Sequence, residues 1–108
     1  MRYMLLICAD ESVDVSPEES SAEPWVEEMH RRGVRRDGSR LRPVSDATTV
    51  RLRDGEVVLS DGPFAETKEQ IAGFDVIDCE DLDEAIEVAS KHPVAKYGTI
   101  EVRPFWPA

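Results

Sequence analysis

The sequence contains few of the residues that metal and disulfide sites need. Its 108 residues include only two cysteines and two histidines. There is no C-x-x-C pair and no histidine–cysteine cluster at zinc spacing. Cys8 and Cys79 each lie in an apolar run typical of a strand, so we expect buried thiols in a reducing compartment. We therefore predict no metal and no cofactor.

Long hydrophobic runs are also absent. No apolar stretch approaches the roughly 20 residues of a membrane-spanning helix. The apolar N-terminal run ends at Asp10 without a small-residue cleavage site, so it does not resemble a secretory signal. A hydrophobic fraction of 41% is nevertheless enough for a folded core. We expect a single domain over residues 1–108, cytoplasmic and without membrane contact.

Acidic residues outnumber basic ones, since 23 Asp and Glu against 13 Lys and Arg give a net charge of −10. Such a chain is expected to repel nucleic acid over most of its surface. The arginines are concentrated, however, because residues 31–53 hold eight of them and only two acids. We interpret this segment as lying against an acidic surface of the same chain or of a second copy. An anion-binding face and solvated charge without a role are the alternatives.

Hydrophobic periodicity predicts the strands. Two β-like runs flank Asp54-Gly55, which is a strong signal for a hairpin. The arginine-rich residues 34–42 are interpreted as irregular or as a weak edge strand. The predicted strands are residues 2–9, 48–53, 56–60, 71–79 and 99–103.

Two helices are predicted from capping signals. Ser16 and Asp81 are expected N-caps, each with a glutamate three residues later. Pro24 interrupts the first helical pattern, so the main helix is expected to begin there and to end at Gly33. The predicted buried stripe of the second helix is Leu82, Ala85, Ile86 and Ala89.

The element order is therefore β, α, hairpin, β, α, β. This order predicts an α+β fold, a ferredoxin-like split βαβ with an antiparallel sheet and an extra hairpin. Both helices would pack on one face of the sheet. Because no third helix is predicted to cover the other face, we expect a second copy of the chain to do so.

Residues 61–70, Asp-Gly-Pro-Phe-Ala-Glu-Thr-Lys-Glu-Gln, form the most distinctive polar run. As a turn, Asp61 would accept hydrogen bonds from the following backbone N–H groups, and Phe64 would anchor in the core. Residues 65–70 are also helix-permissive. As a site, Asp61 would stand at the mouth of a cleft beside Lys68, where burial can shift its pKa. Both interpretations stay open.

His92 and His30 lie at predicted helix ends, where a protonated imidazole is favoured by the helix dipole. The alternative for His92 is a proton shuttle that faces a dimer cleft. Glu101 and Arg103 share one face of the last strand, which favours a cross-strand or cross-subunit ion pair. If that face lines an interior, Arg103 would instead hold an anionic ligand. The large aromatics expected to act as core and interface anchors are Trp25, Phe105 and Trp106.

The Asp61-Gly62-Pro63-Phe64 motif and its continuation to Gln70 resemble the YCII-related family, in the branch called DGPF-domain proteins. The resemblance implies a dimeric α/β-barrel built from two ferredoxin-like subunits. The broader family has a histidine near the start of the first helix, paired with an aspartate. Here Ser20 and Ser21 occupy that region, so the histidine has no counterpart. Association of some relatives with extracytoplasmic-function sigma factors implies a regulatory alternative.

Three functions remain as hypotheses. The first is a homodimer that binds or transforms a small anionic ligand; the second is a non-catalytic regulatory or interaction module, with transcription machinery as partner. The third is a dimeric scaffold without an active site. An enclosed polar cavity of roughly 300 Å3 or more would favour the first, and an exposed apolar patch elsewhere would favour the second. For the first, the candidate catalytic residues are Asp61, Lys68 and His92, and the candidate ligand contacts are Glu66, Thr67, Glu101 and Arg103.

Overall fold

The computed structural model describes residues 1–107. Its strands are β1 (Arg2–Ala9), β2 (Arg35–Arg40), β3 (Thr48–Arg53), β4 (Glu56–Asp61), β5 (Gln70–Asp78) and β6 (Thr99–Pro104). Its α-helices are α1 (Pro17–Ser20), α2 (Glu23–Arg31) and α3 (Leu82–Ser90). Short 3-10 turns occupy Val44–Asp46 and Pro93–Lys96. None of the described helices has the length and apolarity to cross a membrane.

Four strands form one antiparallel sheet in the order β2-β5-β1-β6, and β3 pairs with β4 in a separate hairpin. The α+β class, the antiparallel sheet and the extra hairpin are confirmed, and the arrangement is consistent with a ferredoxin-like fold. The arginine-rich residues 34–42 contain β2, which is an edge strand of the sheet. The dimer and the barrel stay predictions.

The predicted helix starts are confirmed. The Ser16 hydroxyl accepts a hydrogen bond from the Glu19 amide at 3.2 Å, and the Asp81 carboxylate accepts one from the Glu84 amide at 2.9 Å. Pro24 lies in the first turn of α2, because a proline is tolerated only where no intrahelical N–H is needed. Gly33 ends this segment with a φ of 71°.

The core lies between one face of the sheet and the helices. Leu5, Met29 and Val88 are fully buried there, and the Trp25 indole donates a hydrogen bond to the Val88 carbonyl at 2.9 Å. The predicted stripe of α3 is partly wrong, because Leu82 and Ile86 are about half exposed. The helix buries Ala85, Val88 and Ala89 instead, so its apolar face is rotated relative to the prediction.

A buried ion pair attaches the edge strand β2 to the sheet. The Arg35 guanidinium donates to the Asp75 carboxylate at 2.8 Å, and Asp75 is only 6% exposed. Burial raises the pKa of Asp75, and the hydrogen bond and charge of Arg35 oppose that rise. A Cβ at Gly38 would lie 2.2 Å from the Asp75 oxygen. Glycine is therefore required where the ion pair passes beneath β2.

The first half of the arginine-rich segment pairs with acids of the same chain, as one interpretation predicted. Arg32 contacts Glu87 at 2.7 Å, and Arg36 contacts Asp78 at 2.8 Å. Hydrogen bonds from Arg32 and Lys91 lower the pKa of Glu87 to about 2. Within residues 1–107, the arginines with no carboxylate in ion-pair range are Arg31, Arg40, Arg51 and Arg53.

The β3–β4 hairpin projects from the rest of the chain. Its turn uses Asp54 and Gly55 with positive φ angles of 51° and 78°, as the Asp-Gly signal predicted. Every residue of β4 is exposed. The Cα radius of gyration is 15.7 Å, whereas a compact domain of this length has roughly 13 Å. The hairpin therefore adds length to the molecule and little to its core.

His92 is buried beside the core, at 5% exposure. Its Nδ1 accepts a hydrogen bond from the Val94 amide at 3.1 Å, and its ring meets the Trp25 ring edge-on at 4.8 Å. Burial lowers the pKa of His92 to about 4. The interpretation of His92 as a protonated partner of the helix dipole is therefore wrong, because the imidazole is neutral near pH 7.

Burial of neutral His92 makes stability depend on pH. The unfolded imidazole binds a proton near pH 6.5 and the folded one only near pH 4, so stability falls as the pH drops through this window. We expect a loss of about 3 kcal/mol between pH 6.5 and pH 4, measured by urea unfolding. His92→Gln should lose less over this window, and His30→Gln should behave as the wild type. Equal pH profiles for all three would contradict the assignment.

Candidate functional site

The sheet has one face without helices, and the alternation of β1 defines it. Tyr3, Leu5 and Ile7 are buried toward the helices, so Met4 and Leu6 point to the other side. The register then places further residues of β5 and β6 beside them. We call this surface the open face, and it consists of Met4, Leu6, Cys8, Phe74, Val76, Glu101 and Arg103.

The open face has an apolar centre and a charged border. Met4, Leu6, Phe74 and Val76 are half-buried in the isolated chain. The molecule is only 18 Å thick along its shortest axis, which is the thickness of one helix layer on one sheet. No described residue therefore forms a third layer over this surface.

Glu101 and Arg103 pair at the border, on β6. Arg103 donates a charge-assisted hydrogen bond to the Glu101 carboxylate, and both side chains are about half exposed or more. The expected cross-strand pair is not found among residues 1–107, because the two residues pair with each other within one strand. The guanidinium has five N–H donors, so this contact leaves most of them available.

Cys8 lies at the end of the open face nearest the hairpin base. Burial and then the charges of Glu101 and Glu69 raise the pKa of its thiol. A thiol with a raised pKa is a poor nucleophile at neutral pH. The pKa of Cys79 is raised to about 11, again chiefly by burial. Both cysteines are free thiols in the structure, but only Cys79 is buried as expected, whereas Cys8 is half-buried.

Lys68 lies near Asp10, at the end of β1. Hydrogen bonds from Ser12 lower the pKa of Asp10, and the charge of Lys68 lowers it further. Within residues 1–107, no ion pair or hydrogen bond joins Lys68 to Asp61. The structure therefore places Lys68 near the end of β1 and does not pair it with Asp61.

The segment that contains Glu66 and Thr67 is a loop and not a helix. The Thr67 hydroxyl donates to the Glu69 carbonyl at 2.6 Å. The Gln70 amide donates to the carbonyls of Ala65 and Thr67 at 2.9 and 3.1 Å. The sequence offered no sign of this role for Gln70, which stabilises the loop by satisfying two of its carbonyls.

The Asp61-Gly62-Pro63-Phe64 motif closes the base of the hairpin. The Gly62 amide donates to the Ala47 carbonyl at 2.8 Å, and the Thr49 hydroxyl donates to the Gly62 carbonyl at 2.9 Å. Gly62 has a φ of 92°, which favours glycine. Two details were predicted wrongly. Phe64 is 77% exposed and is not a core residue, and Thr49, not Asp61, supplies the side-chain hydrogen bond.

The predicted catalytic residues do not converge within one chain. His92 is buried on the helix side of the sheet, whereas Arg103 lies on the open face. Asp61 is exposed at the end of β4, in the hairpin. In residues 1–107, no group of three or more His, Cys, Asp or Glu is placed to hold a metal ion.

Two open clefts lie on the helix side. One, of about 450 Å3, lies between α1, α2 and the Pro93–Lys96 turn and includes Glu18, Trp25 and Lys91. The other, of about 370 Å3, lies between α3 and β6. Neither cleft is enclosed, and neither includes a predicted site residue.

Comparison with known proteins supports the resemblance seen in the sequence. The family model of the YCII-related domain matches residues 1–108. An uncharacterized protein of Rhizobium meliloti is 50% identical over 68 residues. That match covers 61% of this chain and 55% of the relative, so it spans about half of the relative's length. Because the family model covers the full sequence given, the chain belongs to the YCII-related domain family.

Proposed function

We propose that this protein is a homodimer that binds a small molecule carrying an acidic group between the open faces of its two subunits. The observation that carries the proposal is the open face itself. Its centre is apolar and uncovered, and its border carries the Glu101–Arg103 pair. An apolar sheet surface of this kind is stabilised when a second surface removes it from water.

The apolar centre and the polar border of the open face have different proposed roles. Met4, Leu6, Phe74 and Val76 supply the apolar contact between subunits. The polar border, which also includes Glu69 near Cys8, is not suited to close apolar packing. A dimer through the centre therefore leaves a polar cleft along the border.

Arg103 is the proposed ligand anchor. Glu101 accepts one of its hydrogen bonds and orients the guanidinium, while the remaining N–H groups offer the planar fork that carboxylate and phosphate fit. Lys68 adds a second positive charge at the opposite end of the cleft, because it lies near Asp10, after the end of β1, whereas Arg103 is paired with Met4 near the start of that strand. Glu66 and Thr67 belong to the loop beside Lys68 and are proposed as further contacts.

Binding is favoured over catalysis. Asp61, Lys68 and His92 are not assembled within one chain, and His92 is neutral, on the helix side of the sheet. General acid–base catalysis needs such groups within hydrogen-bond reach of one substrate. Roles for these three residues in a reaction stay predictions.

An interaction module is the second candidate function, and the exposed apolar hairpin favours it. Val50, Leu52, Val57 and Leu59 are each 63–66% exposed, and Trp106 is 95% exposed. Large exposed apolar patches mark protein contacts. In this alternative the partner would be transcription machinery, including an extracytoplasmic-function sigma factor, and no small ligand would bind.

The sheet-face dimer is tested by placing a charge in the centre of the open face. Phe74→Asp should convert a dimer of twice 12.1 kDa into a monomer in light scattering, because an unpaired carboxylate cannot be buried there. Val13→Asp changes the charge equally at an apolar site that is already 47% exposed, and it should stay dimeric. Far-UV circular dichroism checks that both variants fold. A Phe74→Asp protein that is folded and still dimeric would refute the interface.

The ligand anchor is tested by thermal shift with oxalate and with inorganic phosphate. A bound anion raises the Tm, and an anion concentration of 100 times its Kd stabilises the folded protein by about 2.7 kcal/mol. Arg103→Gln should lose this rise while keeping the dimer. Arg42→Gln, at a side chain 85% exposed, should retain it. A rise of equal size in Arg103→Gln, or none in the wild type with either anion, would contradict the assignment of Arg103.

A further inference from the structure

The β3–β4 hairpin presents one apolar face. Its register sets Val50 opposite Leu59 and Leu52 opposite Val57, and residues paired across strands point to the same side. These four residues, which we call the arm face, are each 63–66% exposed. Val58 points to the opposite side of the same strand.

A bare arm face is unfavourable in water. A two-stranded hairpin alone is marginally stable, and it needs a further strand or a packed surface to persist. The exposures of the arm face show that no other part of residues 1–107 covers it. The hairpin therefore needs a surface from outside its own chain.

The same chain carries an apolar groove of about 370 Å3 between α3 and β6. Ile86, at 51% exposure, borders it together with Ala95 and Ile100. None of its lining residues is charged, although 33% of the sequence is charged. Neither the groove nor the arm face contains a charged residue, so packing one against the other would remove no charge from water.

We propose that the arm face of each subunit packs into the α3–β6 groove of a second copy of this chain. Two complementary surfaces on one chain allow a closed two-fold dimer in which the contact between arm and groove occurs twice. Each contact buries uncharged side chains against uncharged side chains, at no cost in buried charge. The hairpin is then a dimerisation element, and the groove is the surface to which it binds.

The area of the open face supports the need for this second contact. Four strands of six to nine residues, about 4.8 Å apart, give a face of roughly 450 Å2 in projection. Stable interfaces remove roughly 800 Å2 from each partner. The arm and the groove supply apolar surface that the sheet alone lacks. The inference rests on the proposed dimer, because it adds a contact to it.

A double-mutant cycle on the full chain tests the arm contact. Leu59→Ser alters the arm face, Ile86→Ser alters the groove, and Val58→Ser is the matched control on the back of the hairpin. Sedimentation velocity gives the dimer Kd for each variant. Leu59→Ser and Ile86→Ser should each raise the dimer Kd at least tenfold. The Kd of the double variant should exceed that of the weaker-binding single variant by less than threefold, because both changes remove the same contact. Val58→Ser should stay within twofold of the wild type.

Other outcomes separate the two proposals. If Phe74→Asp breaks the dimer while Leu59→Ser and Ile86→Ser leave the Kd unchanged, the arm contact is wrong and the sheet-face dimer stands. Effects that multiply fully in the double variant would also overturn the arm contact, because they would show that Leu59 and Ile86 act separately. A wild-type chain that is monomeric at every concentration would refute the dimer and the arm contact together.

Discussion

The structure depends on one constraint, which is that its four-stranded sheet is covered by helices on a single face. Both longer helices pack on the side of Tyr3, Leu5 and Ile7. On the opposite side, Met4 and Phe74 are only half-buried. A sheet with two apolar faces needs cover on both of them to be stable in water. In this chain both longer helices cover the same face. The open face is thus the cause of the proposed dimer and, at its border, the location of the proposed ligand site.

Charge reinforces this division. Arg35 and Asp75 form a buried pair on the helix side, which attaches β2 to the sheet and uses positive charge for structure. Arg103 lies on the other side, where Glu101 orients it without burying it. The arginines thus divide between structural ion pairs and Arg103, the exposed group proposed to bind the ligand.

Local signals predicted most of the fold, and tertiary context decided what they missed. Apolar periodicity located β1 and β5, and the Ser16 and Asp81 caps located two helix starts, because these features depend on neighbours in sequence. The burial of His92 depends on Trp25, which is distant in the sequence, so no local pattern revealed its neutral state. The open face was implicit in the alternation of residues 2–9, but partners on β5 and β6 emerge only from the strand register.

Oxidation of the three methionines tests the covered open face most directly. Met1 is 61% exposed and Met29 is fully buried, while Met4 lies in the centre of the open face. Peroxide converts accessible methionine to the sulfoxide, and peptide mass spectrometry gives the rate at each position. If two sheets pack together, Met4 should oxidise as slowly as Met29 at high protein concentration and faster on dilution below the dimer Kd. A rate for Met4 that lies between those of Met1 and Met29 at every concentration would contradict the account.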